Sequence, residues 1–387
     1  MCRAARRDLF SASLSSIFVP EVRYMPFRYR LTAIFLAVLF LIPPICLGTA
    51  AKEIVPSVSA KSAILIDASD GRVIFEKNAR VRMPMASTTK IMTALLALEK
   101  GNEGDTVIIP PEATGVEGSS VYLKAGEKFT LGELVYAVML ASANDAATAV
   151  AIHIGGSVAG FADMMNRRAG ELGLSDTHFE NPHGLDADGH CTSAYDLARL
   201  AAYALKNEAF LRVVSTVRYR ISGAEPESAR RLVNHNRMLR SYPGAIGVKT
   251  GYTKKCGRCL VSAAGRGGLR LVCVTLSAPD DWNDHTRLLD YGFEFYRAYT
   301  FGKAGEVFWS PPIVSDEAGQ AELVLGRDLT ATILRYGGEI EKVVEAPRFL
   351  WKLPKEGETL GRVIFYRNGK KVAEGRLIVR LRYRNFM

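Results

Sequence analysis

The sequence predicts a mixed α/β domain up to about residue 299, followed by a small all-β domain. Three observations support this division. Between residues 83 and 299, helix-period segments alternate with β-branched runs. From Gly305 onward only short β-type runs and turns remain. The 387 residues suffice for two domains, and a hydrophobic fraction of 48% suits a substantial core.

Residues 1–50 read as a leader. Arg28 and Arg30 precede the apolar run Leu31–Leu47 (LTAIFLAVLFLIPPICL), and small residues follow at Gly48–Ala51. A positive flank, an apolar stretch and small residues make a secretory signal, with cleavage expected after Ala50. The rival is an uncleaved membrane anchor. The run is short for a span, and Pro43 and Pro44 interrupt it. Residues 1–24 add nothing to the signal, and Met25 before PFRYR reads as the more natural start.

In the first domain, residues 51–299, Ala63–Ile66 and Arg72–Phe75 flank DASDG as a hairpin. A helix is expected over Met83–Lys100, ended by Gly101–Asp105. KAGEK (Lys124–Lys128) is a turn before helical Leu131–Ala141. Asn144–Ile154, closed by Gly155-Gly156, and amphipathic Val158–Leu172 follow. Phe179–His190 (FENPHGLDADGH) is a polar loop before helical Thr192–Leu205. Leu260–Ala264 and Arg270–Leu276 form a hairpin across GRGG, and His285–Tyr299 reads as an aromatic-rich helix. In the second domain, residues 300–387, strands are expected at Ala321–Leu325, Thr330–Leu334, Val343–Ala346, Arg362–Tyr366 and Leu377–Leu381. Arg367–Lys370 (RNGK) is a hairpin turn.

Without residues 1–50 the chain keeps 44 basic and 38 acidic residues, a net +6. The basic residues are scattered, with no stripe interleaved with aromatics, which excludes a nucleic-acid partner. An exported basic protein fits an anionic wall or lipid surface instead. Of six cysteines, Cys191, Cys256, Cys259 and Cys273 lie beyond the leader. Cys256-Gly-Arg-Cys259 is a lone CxxC with no second pair for zinc, and all four are expected as free, packed thiols. Asp186 and Asp188 lack calcium-loop spacing, so no metal or other cofactor is expected.

Three short motifs carry the chemistry. Ser87-Thr-Thr-Lys90 is S-x-x-K at a helix start, Ser142-Ala-Asn144 is S-x-N, and Lys249-Thr250-Gly251 is K-T-G before a hairpin. Lys90 lies in an apolar helical run, one turn from Ser87. A buried ammonium must find a partner or give up its proton. Burial and the charge of Lys249 would lower its pKa and make it a base for the Ser87 hydroxyl. Ser142 is suited to pass a proton to a leaving amine. Asn144 is suited to a substrate amide and to holding Lys90. Lys249 and Thr250 suit a substrate carboxylate, and Gly251 lets a substrate backbone approach. The backbone N–H groups of Ser87 and Tyr252 are candidate oxyanion donors.

On these motifs, with NPHGLDADG (Asn181–Gly189) and IGVKTGYT (Ile246–Thr253), the chain resembles the serine-type D-alanyl-D-alanine carboxypeptidases, the low-molecular-mass penicillin-binding proteins of peptidase family S11. The resemblance covers most of residues 58–387. It implies a penicillin-binding/β-lactamase-like catalytic domain, with an antiparallel sheet packed by helices plus a helical region, and a small all-β domain. It also implies a hydrolase that removes the terminal D-alanine of peptidoglycan stem pentapeptides through a Ser87 acyl-enzyme, and penicillins as covalent inhibitors. The implied catalytic residues are Ser87, Lys90 and Ser142; Asn144, Lys249, Thr250 and Gly251 bind substrate. The expected site of action is outside the cytoplasmic membrane. Membrane association is an open expectation, because the C-terminal Arg380–Met387 reads as a strand with a short tail and not as an amphipathic anchor.

Alternatives use the same acyl-enzyme. A class A β-lactamase needs a glutamate in E-x-x-L-N between the second and third motifs; Glu171, Glu180, Glu208, Glu225 and Glu227 all lack that setting. Transpeptidation and endopeptidation differ only in acceptor or bond. An inactive wall-binding homologue would keep the fold alone. His183 is expected to order its loop, since Lys90 already supplies a base. His235 and Asn236 read as structural at the edge of a cleft, and Trp282 and His285 as packing.

Overall fold

The computed structural model describes residues 55–314 and 320–382; the leader expected at residues 1–50 lies outside them. A five-stranded antiparallel sheet forms the centre, in the order Val73–Lys77, Ser62–Asp67, Leu269–Leu276, Gly257–Arg266 and Ala245–Thr253. Strand Ser62–Asp67 is buried throughout, and the period-two rule sorts its side chains between two cores. Ile64 and Ile66 join Met92, Leu95 and Leu134 on the helical side. Ala63 and Leu65 meet Leu271, Leu288 and Leu289 on the other. The sheet is thus covered on both faces, by a group of helices and by helix Asp281–Phe295.

The helical region is close to expectation. Helix Leu131–Leu140 opens with a capping box between Thr130 and Glu133. Asn144–Gly155 ends at Gly156 in the left-handed conformation, and Val158–Glu171 starts at the Ser157 cap. Ala194–Ala204 is capped by Ser193.

Two expected helices are redrawn. Met83–Lys100 is not one helix: Met83 bridges Thr192, Ala86 takes φ 47°, a 3-10 turn covers Ala86–Thr89, and the α-helix runs over Lys90–Lys100. A left-handed residue stops helical geometry from extending further back, so the helical path begins at Ala86, with Ser87 on the 3-10 turn that leads into the α-helix. The segment His285–Tyr299 divides as well. The helix is Asp281–Phe295, and Tyr296–Gly302 is a strand paired with Leu329–Leu334. The Tyr-Arg-Ala-Tyr-Thr alternation prefers a pleat once a partner strand is present. The boundary expected at residue 299 therefore falls inside a strand. Two small hairpins, Thr106–Ile108 with Lys128–Thr130 and Arg218–Ile221 with Arg230–Val233, carried no strong pattern. Tertiary contacts hold them, including a Tyr136–Tyr219 ring stack at 3.7 Å and the Arg230–Glu127 ion pair at 2.8 Å.

The C-terminal region has its own antiparallel sheet, ordered Val307–Trp309, Gln320–Leu325, Lys370–Arg382, Thr359–Arg367 and Ile340–Glu345. The expected turn sits at Asn368-Gly369, both with positive φ as a tight hairpin requires. Phe301, Leu323, Leu325, Ile333, Val363, Phe365, Leu377 and Val379 make a separate core.

Candidate active site

The three motifs converge. Lys90 opens its helix with the side chain directed inward, fully buried. Its Nζ lies 3.1 Å from Ser87 Oγ and donates to Asn144 Oδ1 at 2.6 Å and the His183 carbonyl at 2.5 Å, which leaves the lone pair of the neutral amine for the Ser87 hydroxyl. All three partners are neutral, so no ion pair repays the loss of hydration. Burial, aided by the charge of Lys249 and opposed by Asp145, holds the Lys90 pKa well below its usual value. Lys249, also buried, donates to the Thr250 carbonyl at 2.9 Å, and burial lowers its pKa to about 7.

Backbone fit explains how sequence-distant motifs meet. Strand Ala245–Thr253 is the sheet edge and lies against the Ser87 turn. A Cβ at Gly251 would sit 3.1 Å from the Ser87 nitrogen and 3.2 Å from Ala86 Cβ. Gly184 is tighter: with φ 87°, its Cβ would fall 2.0 Å from the Ala86 carbonyl oxygen. Only glycine permits that approach. Ser142 occupies the bend between helices Leu131–Leu140 and Asn144–Gly155, with φ 58°. Ala86 and Ser142 are non-glycine residues held in the left-handed region beside a cleft, where such strain commonly gathers.

The cleft has a volume of about 550 Å³. Ser87, Ser142, Thr250, Gly251 and Tyr252 line it, as the sequence suggested, with Ser119 and His235. Arg258, Asp281 and Trp282 line it as well. Trp282 thus faces the cleft as well as packing, a role the sequence reading did not give it. Arg237 lies over its ring at 4.7 Å. His285 is a packing residue, bonded to Ser262 and Thr275. Asn144 is engaged within the protein: Oδ1 accepts from Lys90, and Nδ2 donates to the Glu117 carbonyl. This structure therefore has Asn144 holding the lysine, with one of its two amide N–H donors committed to the Glu117 carbonyl.

Several contributors were missed. Asp145 is buried and accepts from Ser120 Oγ at 2.6 Å, Val121 N at 3.1 Å and Leu123 N at 3.0 Å, which fixes the loop that presents Ser119. An acid in the first turn of a helix was the available signal. The His183 carbonyl is a direct Lys90 partner, and a backbone group has no sequence signature. The 181–190 loop is tied down by Thr93 Oγ1 donating to the Pro182 carbonyl at 2.6 Å. His190 accepts from the Glu180 N–H through Nδ1, so its Nε2 carries the proton toward Thr89 Oγ1, 2.7 Å away. Burial lowers His183 to a pKa of about 3 and His190 to about 4, so both are neutral near Lys90 at pH 7. Asp186 joins the loop to Thr253 Oγ1 at 3.1 Å. Cys191, Cys256, Cys259 and Cys273 are all free thiols.

Comparisons with known proteins agree with this geometry. A family profile described as D-alanyl-D-alanine carboxypeptidase matches residues 49–280. The chain is 34% identical to D-alanyl-D-alanine carboxypeptidase DacF of Bacillus subtilis, over 81% of this chain and 83% of that protein. It is similar in structure to penicillin-binding protein 5 of Haemophilus influenzae, with TM-score 0.73 and 27% identity, covering 84% of this chain and 97% of that one. A Streptomyces K15 DD-transpeptidase, solved as a point mutant, matches at TM-score 0.59 and 33% identity, covering 62% of this chain and 99% of that one. The matched profile spans more than half of the chain, which is therefore a member of the D-alanyl-D-alanine carboxypeptidase family.

Proposed function

We propose that this chain is a serine DD-carboxypeptidase that removes the terminal D-alanine from peptidoglycan stem pentapeptides and is acylated by penicillins. The observation that carries the reading is the buried Lys90 amine, 3.1 Å from Ser87 Oγ, with only neutral partners. Such an amine is available as a base near neutral pH. Ser87 Oγ attacks the penultimate D-alanine carbonyl while its proton passes to Lys90 Nζ. The Ser87 and Tyr252 backbone N–H groups stabilise the oxyanion. The C–N bond then breaks, and the departing D-alanine amine takes a proton relayed through Ser142. Water attacks the Ser87 ester, and the same lysine receives and returns the proton. Lys249 and Thr250 hold the terminal carboxylate, and Gly251 lets the peptide run beside the strand edge.

Residues 51–299 are the catalytic domain in this reading, with residues 300–387 as a separate β domain. The 62% coverage by a transpeptidase that is itself almost wholly covered supports that division, as does the separate C-terminal core. The leader delivers the enzyme to the outer side of the cytoplasmic membrane, where its substrate lies.

The test is to incubate the purified protein with a stem pentapeptide and follow free D-alanine and tetrapeptide by mass spectrometry. Stoichiometric release of both is expected, lost in Ser87→Ala. The transpeptidase likeness favours one second reading, transfer of the acyl group to an amine. It would appear as a cross-linked product in place of tetrapeptide when an acceptor peptide is added.

A further inference from the structure

The C-terminal β region carries a surface feature that catalysis does not use. Single exposed hydrophobics are ordinary on a protein surface, but a cluster of large ones is not. Trp351 is 73% exposed, Phe349 45% and Trp309 42%. They form one corner. The Phe349 and Trp351 rings meet edge to face at 5.1 Å, and Trp309 Nε1 donates to the Pro347 carbonyl at 3.0 Å. Val314 N bonds the Leu350 carbonyl, and Leu350 N bonds the Pro312 carbonyl, so segments 307–314 and 347–351 lie side by side.

The alternation is deliberate in the physical sense. Phe308 and Leu350 pack on the C-terminal core, while Val307, Trp309, Phe349 and Trp351 turn outward. The corner RFLWK is bracketed by exposed Arg348 and Lys352, neither of which has an ion pair among the described residues. Neighbouring cations that do pair, such as Arg362 with Glu345 and Lys371 with Glu374, show that carboxylates are available nearby.

We propose that this corner docks on an anionic lipid surface, with Trp351, Phe349 and Trp309 at the headgroup boundary and Arg348 and Lys352 on the phosphates. Amphipathic aromatic rings favour that boundary, and basic side chains beside them are attracted by the negative surface potential. A carbohydrate platform would instead need hydrogen-bonding side chains around the stacked ring. Here the described neighbours are valines, prolines and cations, with Ser310 the one hydroxyl in these two segments. Among the described residues no single helix is long and apolar enough to cross a membrane. The contact holds the C-terminal region at the bilayer and does not depend on the catalytic reading.

The test uses the full chain with vesicles of phosphatidylglycerol and phosphatidylcholine carrying brominated acyl chains. The apolar run Leu31–Leu47 contains no tryptophan, so quenching of tryptophan emission reports on the corner even if that run binds lipid. The Trp309→Phe/Trp351→Phe double variant gives the background from Trp282, the third tryptophan. Quenching well above that background is expected, with Trp351→Phe removing most of it. At a low fraction of anionic lipid, Arg348→Glu/Lys352→Glu should reduce quenching about threefold or more. An unchanged circular dichroism spectrum and urea-unfolding midpoint in each variant confirm folding. Quenching no greater than the Trp282 background overturns the proposal. So does saturable binding to isolated peptidoglycan that depends on Trp351 without lipid quenching.

Discussion

The cleft and the C-terminal β sheet treat charge in opposite ways. In the cleft, Lys90 and Lys249 are buried without a carboxylate partner, and both are pushed toward the neutral form. In the β sheet, Arg380 and Arg382 share Glu322, Arg362 bridges Glu345 and Glu374, and Lys371 also holds Glu374, all at or near the surface. Surface pairs contribute little, but they leave every group solvated. Buried lysines cost stability and gain reactivity. The difference separates a region arranged for a proton transfer from one arranged for persistence.

The comparison is broken most severely at the nucleophile. Ser87→Ala should abolish covalent labelling by fluorescent penicillin, read on a denaturing gel. Label on any other residue would remove the cleft from the chemistry. Next, Lys90→Met should slow acylation by roughly 10²–10⁴-fold, the range typical of a general base. The fold should survive, because the methionine occupies an otherwise apolar run. A loss below tenfold in stopped-flow acylation would mean that another group takes the proton.

A smaller effect concerns pH. Acylation needs neutral Lys90, so kcat/KM should rise with pH through a pKa well below the usual lysine value. It should fall again as Lys249, near 7, loses the charge that attracts a carboxylate. A bell is therefore expected, and Lys249→Arg should move its descending limb upward. A profile still rising at the ordinary lysine pKa would refute the tuning. Burial of Lys249 in its lowered state also makes the unfolded chain bind more protons between about pH 7 and 10, so stability should rise with pH across that window. Smallest of all, Arg380→Ala should change stability by no more than about 1 kcal/mol in urea unfolding. A larger loss would show that the β sheet relies on its charges after all.

Legibility in the sequence followed the same division. Ser87, Lys90, Ser142, Asn144, Lys249, Thr250 and Gly251 stood out as candidates in the sequence because chemistry demands residue types at fixed spacing, and the fold brings them together. The strands around 63–66, 270–276 and 321–325 were readable because a short apolar or β-branched run bounded by turn residues is a local signal. Backbone contributions were not. The left-handed Ala86 that opens the Ser87 turn has no residue signature, and neither does the His183 carbonyl. Gly184 lies in a segment that reads simply as a polar loop, and only the fold reveals the Ala86 carbonyl against it. The helix ending at Phe295 was overextended because Tyr296–Gly302 becomes a strand only once Leu329–Leu334 is beside it.

The lowered pKa of Lys249 has a consequence for measurement. Burial brings the amine's pKa down to about 7, close to neutral solution. An arriving carboxylate favours the charged form, so each anion that docks there draws part of a proton from the medium. Heats of binding should then change with the ionisation enthalpy of the buffer, and affinity for anionic ligands should fall about tenfold for each pH unit above the lysine's pKa. An uncharged ligand of the same shape should show neither trend. The cleft would act as a proton-coupled receptor before any bond is broken.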